Sequence, residues 1–235
     1  KLLVIAVPSI RLDRREKIRE TWMNWADDCV TLRFFTEPSD DEETTISQRN
    51  ELEDHGDLVI LDIESGMNFG VKLLEAMRWM SEHFKFDFFL RLDDDYFLGL
   101  DRLLEELDAT KLTTYPEPMP PLYAGSLHCV RTKTRNDEAY LLLSEPLLDR
   151  VLNIEGLMCG GHGGVTTGYW FTVGNAANEA GDVIWLHDPR LAIYEKLPAA
   201  KRNGKKNPGI TNVCEDYIGI HHAFPERIDL LWPPA

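Results

Sequence analysis

The sequence predicts an α/β fold: a mostly parallel central sheet with helices on both faces. Two observations predict it. Short apolar runs alternate with helix-period segments through the first half of the chain, and one of those segments is strongly amphipathic. Tight turns cannot join parallel strands, so a repeated β-α-β order means crossover helices packed against the sheet.

The elements follow in order. Leu2 to Val7 is an unbroken apolar run, as expected of a strand buried on both faces. Asp13 to Trp25 predicts a helix with Ile18, Trp22 and Trp25 on one stripe. Val30 to Phe35 predicts a second strand, a polar helical stretch runs through Gln48 to Glu53, and His55-Gly56-Asp57 is a turn before a third strand, Leu58 to Leu61. From Asn68 to Phe84 the apolar residues Phe69, Leu73, Met77, Met80 and Phe84 recur at steps of three and four, the amphipathic helix already mentioned. Asp87 to Leu92 predicts a fourth strand, completing a Rossmann-like half. Beyond Leu107 the pattern gives way to the Pro-rich stretch Tyr115 to Pro121, the Gly-rich stretch Gly160 to Gly164 and the basic loop Lys201 to Gly209. Long loops of this kind often carry function. The expected organisation is a single domain over 1–235, with residues 1–107 as a nucleotide-sugar-binding half and 108–235 as an acceptor-side half.

At 235 residues and 43% hydrophobic content the chain has ample material for a core. A formal charge of −15 excludes a nucleic-acid backbone partner, which needs Lys and Arg to replace condensed counterions. A diphosphate remains possible if a basic cluster or a divalent metal compensates locally. No apolar run reaches the roughly eighteen residues of a membrane span. The four cysteines, Cys29, Cys129, Cys159 and Cys214, lack metal-ligand spacing, which disfavours structural zinc and leaves free thiols or disulfides open.

Asp93-Asp94-Asp95 directly follows the fourth strand, and ligands of open α/β sheets bind at the carboxyl ends of strands. Carboxylates this close repel one another unless a cation lies between them; oxygen ligands suit Mg²⁺ or Mn²⁺, which bridge protein carboxylates to substrate phosphates. The alternative is a solvated acidic turn capping the next helix. Arg14, Arg15 and Arg19 lie in the first helix, Arg15 and Arg19 one turn apart, placed either to meet an anion or to pair with Asp13, Glu16 and Glu20 on a solvated face. Asn68 and Lys72 open the amphipathic helix, where backbone N–H groups favour anions.

Together these stretches resemble the β1,3-galactosyltransferase family. Its Arg-Arg-x-x-Ile-Arg-x-Thr-Trp signature stands complete at Arg14-Arg15-Glu-Lys-Ile18-Arg19-Glu-Thr21-Trp22. Asn68-Phe-Gly-Val-Lys72 is similar to the family's Asn-Leu-Thr-x-Lys helix start, and Arg91-Leu92-Asp93-Asp94-Asp95 to its Lys-x-Asp-Asp-Asp. Tyr123-Ala-Gly125, Tyr140 to Ser144, His187-Asp188-Pro-Arg190 and the late Cys214 and His221 extend the likeness over most of the chain. The resemblance implies a GT-A type glycosyltransferase fold and transfer of a hexose, galactose before GlcNAc, from a UDP-sugar to a glycan hydroxyl in β1,3 linkage with inversion. It implies Mn²⁺, with Mg²⁺ as the alternative, held by Asp95 and His221. Asp93 and Asp94 would face the nucleotide, with Arg14, Arg15, Arg19 and Lys72 among the donor-binding residues. It further implies a Golgi-lumenal enzyme with a membrane anchor outside this sequence.

One motif departs. Inverting transfer needs a general base at the acceptor hydroxyl, and the family keeps it as the Asp of Glu-Asp-Val-x-x-Gly. The counterpart here is Gly163-Gly164-Val165-Thr166-Thr167-Gly168, with glycine where both acids stand. Asp182 is a fallback without the following glycine, and Glu215-Asp216 is an acidic pair without the following Val. A catalytically silent member that still binds UDP-sugar is therefore the alternative function. A phosphoryl-transfer enzyme is disfavoured by the lack of a GxxxxGK[ST] loop.

Overall fold

The computed structural model describes residues 1–64, 66, 69–109, 119–130, 133–136, 139–155, 167, 170, 183–197 and 216–231. Its first half follows the predicted order: β1 (Leu3–Pro8), α1 (Leu12–Glu20), β2 (Val30–Thr36), α2 (Glu42–His55), β3 (Leu58–Ile60), α3 (Phe69–His83) and β4 (Phe88–Leu92). The second half adds β5 (Phe97–Leu98), α4 (Leu100–Ala109), β6 (Leu122–Gly125), β7 (Leu127–Val130), β8 (Lys133–Asn136), β9 (Tyr140–Ser144), α5 (Glu145–Leu152), β10 (Ile184–His187), β11 (Leu191–Ile193), β12 (Gly219–His221) and α6 (Pro225–Leu231).

The central sheet has the order β10-β6-β9-β4-β1-β2-β3. β1 runs parallel to both β2 and β4, β3 is parallel to β2, and β10 is parallel to β6. β9 alone is reversed, antiparallel to β4 and to β6. The sheet is thus mostly parallel with one inverted strand. Nothing in the buried run Tyr140-Leu-Leu-Leu-Ser144 distinguishes the two directions.

Alternation along the strands builds two cores. In β1, Leu3, Ile5 and Val7 point to one face with Ile18, Trp22, Leu103 and Ile228, while Val4 and Ala6 point to the other with Leu73, Met77, Met80 and Leu147. Helices therefore cover both faces, α1, α4 and α6 on one and α3 and α5 on the other. Each fully buried Leu, Ile or Phe contributes about 1.5–3 kcal/mol, so the α3 stripe is a principal reason the sheet holds its shape.

Two boundaries differ from expectation. The helix expected over Asp13 to Trp25 ends at Glu20, and a 3-10 turn takes over at Trp22–Trp25. The Thr21 hydroxyl donates to the Lys17 carbonyl at 2.5 Å, tying the end of the α-helix back on itself. The polar stretch around Gln48 is a full helix, capped by Asp41, whose carboxylate accepts from the Thr44 N–H, and closed by Gly56 at φ 68°, the left-handed conformation that favours glycine.

Candidate functional site

The carboxyl ends of β1, β2 and β4 converge where the chain leaves β1 in opposite directions across the sheet, the switch point at which open α/β sheets bind ligands. β4 ends at Leu92 and the acidic triplet turns away from the sheet. The Asp93 N–H donates to the Ala139 carbonyl at 3.0 Å, and the Asp95 carbonyl accepts from the Ala223 N–H at 2.7 Å. The short antiparallel pair β5–β12 then brings His221 back over the triplet.

His221 Nε2 lies 3.4 Å from Asp93 Oδ2 and 3.4 Å from Asp95 Oδ1. Together the three side chains offer ligand atoms within 4.8 Å of one another. Asp94 points elsewhere, accepting from the Ser9 hydroxyl at 2.7 Å and from Arg14 Nη1 at 2.5 Å. The family resemblance set Asp93 with Asp94 and Asp95 with His221; the turn after Leu92 instead brings Asp93 and Asp95 together under His221 and leaves Asp94 to Ser9 and Arg14.

Electrostatics match that split. Burial opposes charge on His221, but its hydrogen bonds to Asp93 and Asp95 and their charges outweigh burial and raise its pKa to about 9. Burial would likewise lift Asp93, yet Arg91 and His221 hold it below the usual carboxylate range. Asp94 is raised, mainly by burial and further by the neighbouring Asp95 charge, against the pull of Ser9 and Arg14. The Asp93–Asp95 pair is met by three positive charges: Arg91 on Asp93, Arg14 at 3.9 Å from Asp95, and the His221 proton between the two carboxylates. A divalent cation fits the same place, and two carboxylates with one imidazole suit Mn²⁺ better than the all-oxygen preference of Mg²⁺.

Two cavities flank this centre. One, about 350 Å³, is lined by Ser9, Arg14, Phe35, Glu37, Lys72 and Asp94 among others, Phe69 included. The other, about 260 Å³, is lined by Tyr96, Tyr140, Lys196, Tyr217 and His221 among others. Asp94 therefore faces one cavity and His221 the other, with the candidate metal centre between.

The basic residues divide. Arg14 lines the first cavity and keeps a buried Nε with no hydrogen-bond partner among the described residues, a donor suited to an anion. Lys72 reaches the same cavity but pairs with Glu37 at 2.7 Å. Arg15 and Arg19, expected at the phosphates, are committed inside the protein. Arg15 forks onto Glu51 and donates to the Ser9 carbonyl at 3.0 Å, while Arg19 bridges Glu51 and Asp57. Their acidic partners sit on α2 and its following turn, distant in sequence, and both guanidiniums turn inward to them. Asn68, Gly163, Gly164, Asp182, Glu215, the loop Lys201 to Gly209 and the cysteines Cys159 and Cys214 lie outside the described residues.

Sequence reasoning missed Ser9, Glu37, Phe69 and Tyr96. Ser9 and Glu37 each follow the carboxyl end of a parallel strand, and that position was the available signal. Phe69 packs under Arg91, whose guanidinium carbon is 4.5 Å from its ring centroid, and Arg91 in turn pairs with Asp93.

The fold, with its site at the switch point of the sheet, is the GT-A glycosyltransferase fold. The same fold is seen in the apo-form glycosyltransferase GlyE of Streptococcus pneumoniae TIGR4, at TM-score 0.50 and 13% identity over 94% of this chain and 54% of that one. The chain belongs to the galactosyltransferase family, whose model, described as Galactosyltransferase, matches residues 13–140. Among its relatives are the Drosophila melanogaster Beta-1,3-galactosyltransferase brn, 29% identical over 58% of this chain and 42% of the relative, and the Mus musculus Beta-1,3-galactosyltransferase 6, 31% identical over 46% of this chain and 35% of the relative. The matched regions span less than half the length of these relatives. No helix among the described residues is long and apolar enough to cross a membrane.

Proposed function

We propose that this chain transfers a hexose, galactose first, from a UDP-sugar to a glycan hydroxyl in β1,3 linkage with inversion. The observation that carries the reading is the candidate metal centre Asp93, Asp95 and His221, set between two cavities at the switch point of the sheet. The names of the relatives supply the sugar and the linkage. The uridine would enter the 350 Å³ cavity over Phe35 and Phe69, with Arg14 toward the diphosphate. The transferred sugar and the acceptor would occupy the side of the 260 Å³ cavity, next to His221. On this reading residues 1–107 form the donor half, and 108–235 supply the acceptor side and His221.

In the reaction the acceptor oxygen attacks the anomeric carbon from the face opposite the diphosphate. The bond from that carbon to the diphosphate oxygen breaks, and UDP leaves with the electron pair. Mn²⁺ held by Asp93, Asp95 and His221 would neutralise charge on the leaving diphosphate. This chain's own contribution is to offer Arg14 to the diphosphate, while the Ser9 hydroxyl and Arg14 offset the Asp94 carboxylate that lines the same cavity. The proton of the acceptor hydroxyl needs a base, and the family's position for one is Gly164 in this sequence. That glycine favours a second reading, a silent member that binds UDP-sugar without turning it over.

The native setting proposed is the Golgi lumen, with a membrane anchor beyond this sequence and a glycoconjugate as acceptor. The test is a turnover assay with UDP-galactose and UDP-GlcNAc, with Mn²⁺ and with EDTA, beside a binding measurement. Mn²⁺-dependent release of UDP from UDP-galactose supports the enzyme. Tight UDP binding with no turnover of either donor supports the silent reading.

A further inference from the structure

Tyr96 directly follows the triplet and is 2% exposed. Its ring stacks on the imidazole of His221, with centroids 5.8 Å apart and planes 20° from parallel. β5 and β12 pair Phe97 with Ile220 and Leu98 with Gly219; continuing that antiparallel register by one residue sets Tyr96 directly across from His221. Gly219 and His221 are two residues apart on one strand, so they share a face, and the Tyr96 ring lies over both.

That overlap leaves no room for a side chain at residue 219. A Cβ there would stand 2.3 Å from Tyr96 Cε1, 3.1 Å from Cζ and 3.2 Å from the phenolic oxygen. The Tyr96 backbone is pinned as well, its carbonyl accepting from the Trp22 indole N–H at 3.0 Å. With the backbone held there, the buried ring is confined by its neighbours Tyr140 and His221. It also closes one wall of the 260 Å³ cavity beside His221, with the Tyr140 ring 5.9 Å away.

We infer that Tyr96 is a positioning residue of the candidate metal centre: it fixes the ring plane of His221, and Gly219 is the space that lets it lie there. The inference rests on the reading of Asp93, Asp95 and His221 as a metal site. The His222 ring also touches His221, centroids 4.2 Å apart, but at 47° it meets the imidazole at an angle and leaves its plane free, so without the near-parallel Tyr96 ring the imidazole samples several rotamers about its two side-chain torsions. Nε2 then points between the two carboxylates for only part of the time. Hydrogen-bonded partners that orient a metal-binding histidine are commonly worth about 10–100-fold in metal affinity, and a ring against its face restricts the same torsions.

The experiment measures Mn²⁺ binding to the whole chain from the spectrum of free Mn²⁺, together with Tm. It compares wild type, Tyr96→Phe, Tyr96→Val, Gly219→Ala and the double variant Tyr96→Val with Gly219→Ala. Tyr96→Phe keeps the ring and should bind Mn²⁺ as wild type does. Tyr96→Val should weaken Mn²⁺ about tenfold or more. Gly219→Ala should weaken it at least as much alone, yet add nothing once Tyr96 is Val, because the collision partner is gone. Wild-type Mn²⁺ affinity in folded Tyr96→Val, or an equal cost of Gly219→Ala in both backgrounds, overturns the inference. If Gly219→Ala does not fold, the Tyr96→Phe and Tyr96→Val pair decides. Absence of Mn²⁺ binding in wild type removes the metal reading itself, and the inference with it. Binding that ignores Tyr96 removes the inference alone.

Discussion

Arg15 and Glu51 face each other as a two-pronged ion pair, Nη2 to Oε2 at 2.5 Å and Nε to Oε1 at 2.7 Å, with both side chains 3% exposed. The pair joins α1 to α2, and Arg15 passes the constraint onward through the Ser9 carbonyl, while the Ser9 hydroxyl holds Asp94. The signature that identifies the family is thus largely a scaffold beneath the site.

Removing one partner of a buried pair leaves the other charge uncompensated. Glu51→Gln strands Arg15 and removes the charge from one of the two carboxylates that Arg19 bridges, so it should destabilise the chain by about 3–5 kcal/mol. Chemical denaturation checks the value; a loss below about 1 kcal/mol would contradict the role given to the pair. Burial opposes the Glu51 charge, but Arg15 and Arg19 overcome it and lower its pKa. A lowered carboxylate stabilises above its unfolded pKa and loses that contribution as pH falls through the folded value. Wild type should therefore lose more stability than Glu51→Gln on acidification below about pH 4.5.

Arg14 should behave in the opposite way. Its Nη1 holds Asp94 at the edge of the 350 Å³ cavity, and its buried Nε lacks a partner among the described residues. Arg14→Ala should cost UDP about tenfold in affinity, near 1.4 kcal/mol, with a smaller loss of stability than Glu51→Gln, because Asp94 is less buried than Glu51 and keeps its Ser9 hydrogen bond. Undiminished UDP binding by the variant would take Arg14 out of the donor site.

His221 gives a pH signature. With its pKa raised from 6.5 to about 9, its stabilising contribution in metal-free protein is complete below about pH 6.5 and is lost as pH rises through about 9. Metal binding needs the neutral ring, so Mn²⁺ uptake near pH 7.5 should release about one proton per ion. Calorimetry in two buffers of different ionisation enthalpy reads this directly. Identical heats in both buffers would mean that His221 is not a ligand.

The first half of the fold was legible because its strands are apolar runs and α3 carries a clean helical stripe. The reversal of β9 was not, since a strand buried on both faces reads alike in either direction. The acidic triplet was legible as a cluster, but its division was not. Whether Asp93 or Asp94 joins Asp95 depends on the turn after Leu92 and on β12, which arrives over a hundred residues later in the chain. Arg15 and Arg19 looked like anion binders because their partners, Glu51 and Asp57, lie on another element and carry no motif.

The base is open to chemistry. General-base assistance is typically worth about 10²–10⁴ in rate, so a chain lacking it binds donor and transfers slowly. Gly164→Asp, made together with Gly163→Glu, should raise turnover toward that range with little change in UDP affinity. Robust transfer by the unmodified chain that disappears in Asp182→Asn would place the base at Asp182.

A metal held by Asp93, Asp95 and His221 would join this acidic protein to a nucleotide diphosphate, and UDP calorimetry tests that bridge most directly. Strand-end carboxylates alone repel a diphosphate, so UDP should bind in Mn²⁺ and far more weakly in EDTA. Asp95→Ala should lose that difference while keeping the circular dichroism of the wild type, because a carboxylate in a turn adds little to core packing. Equal UDP affinity in Mn²⁺ and EDTA for the wild-type chain would contradict the account.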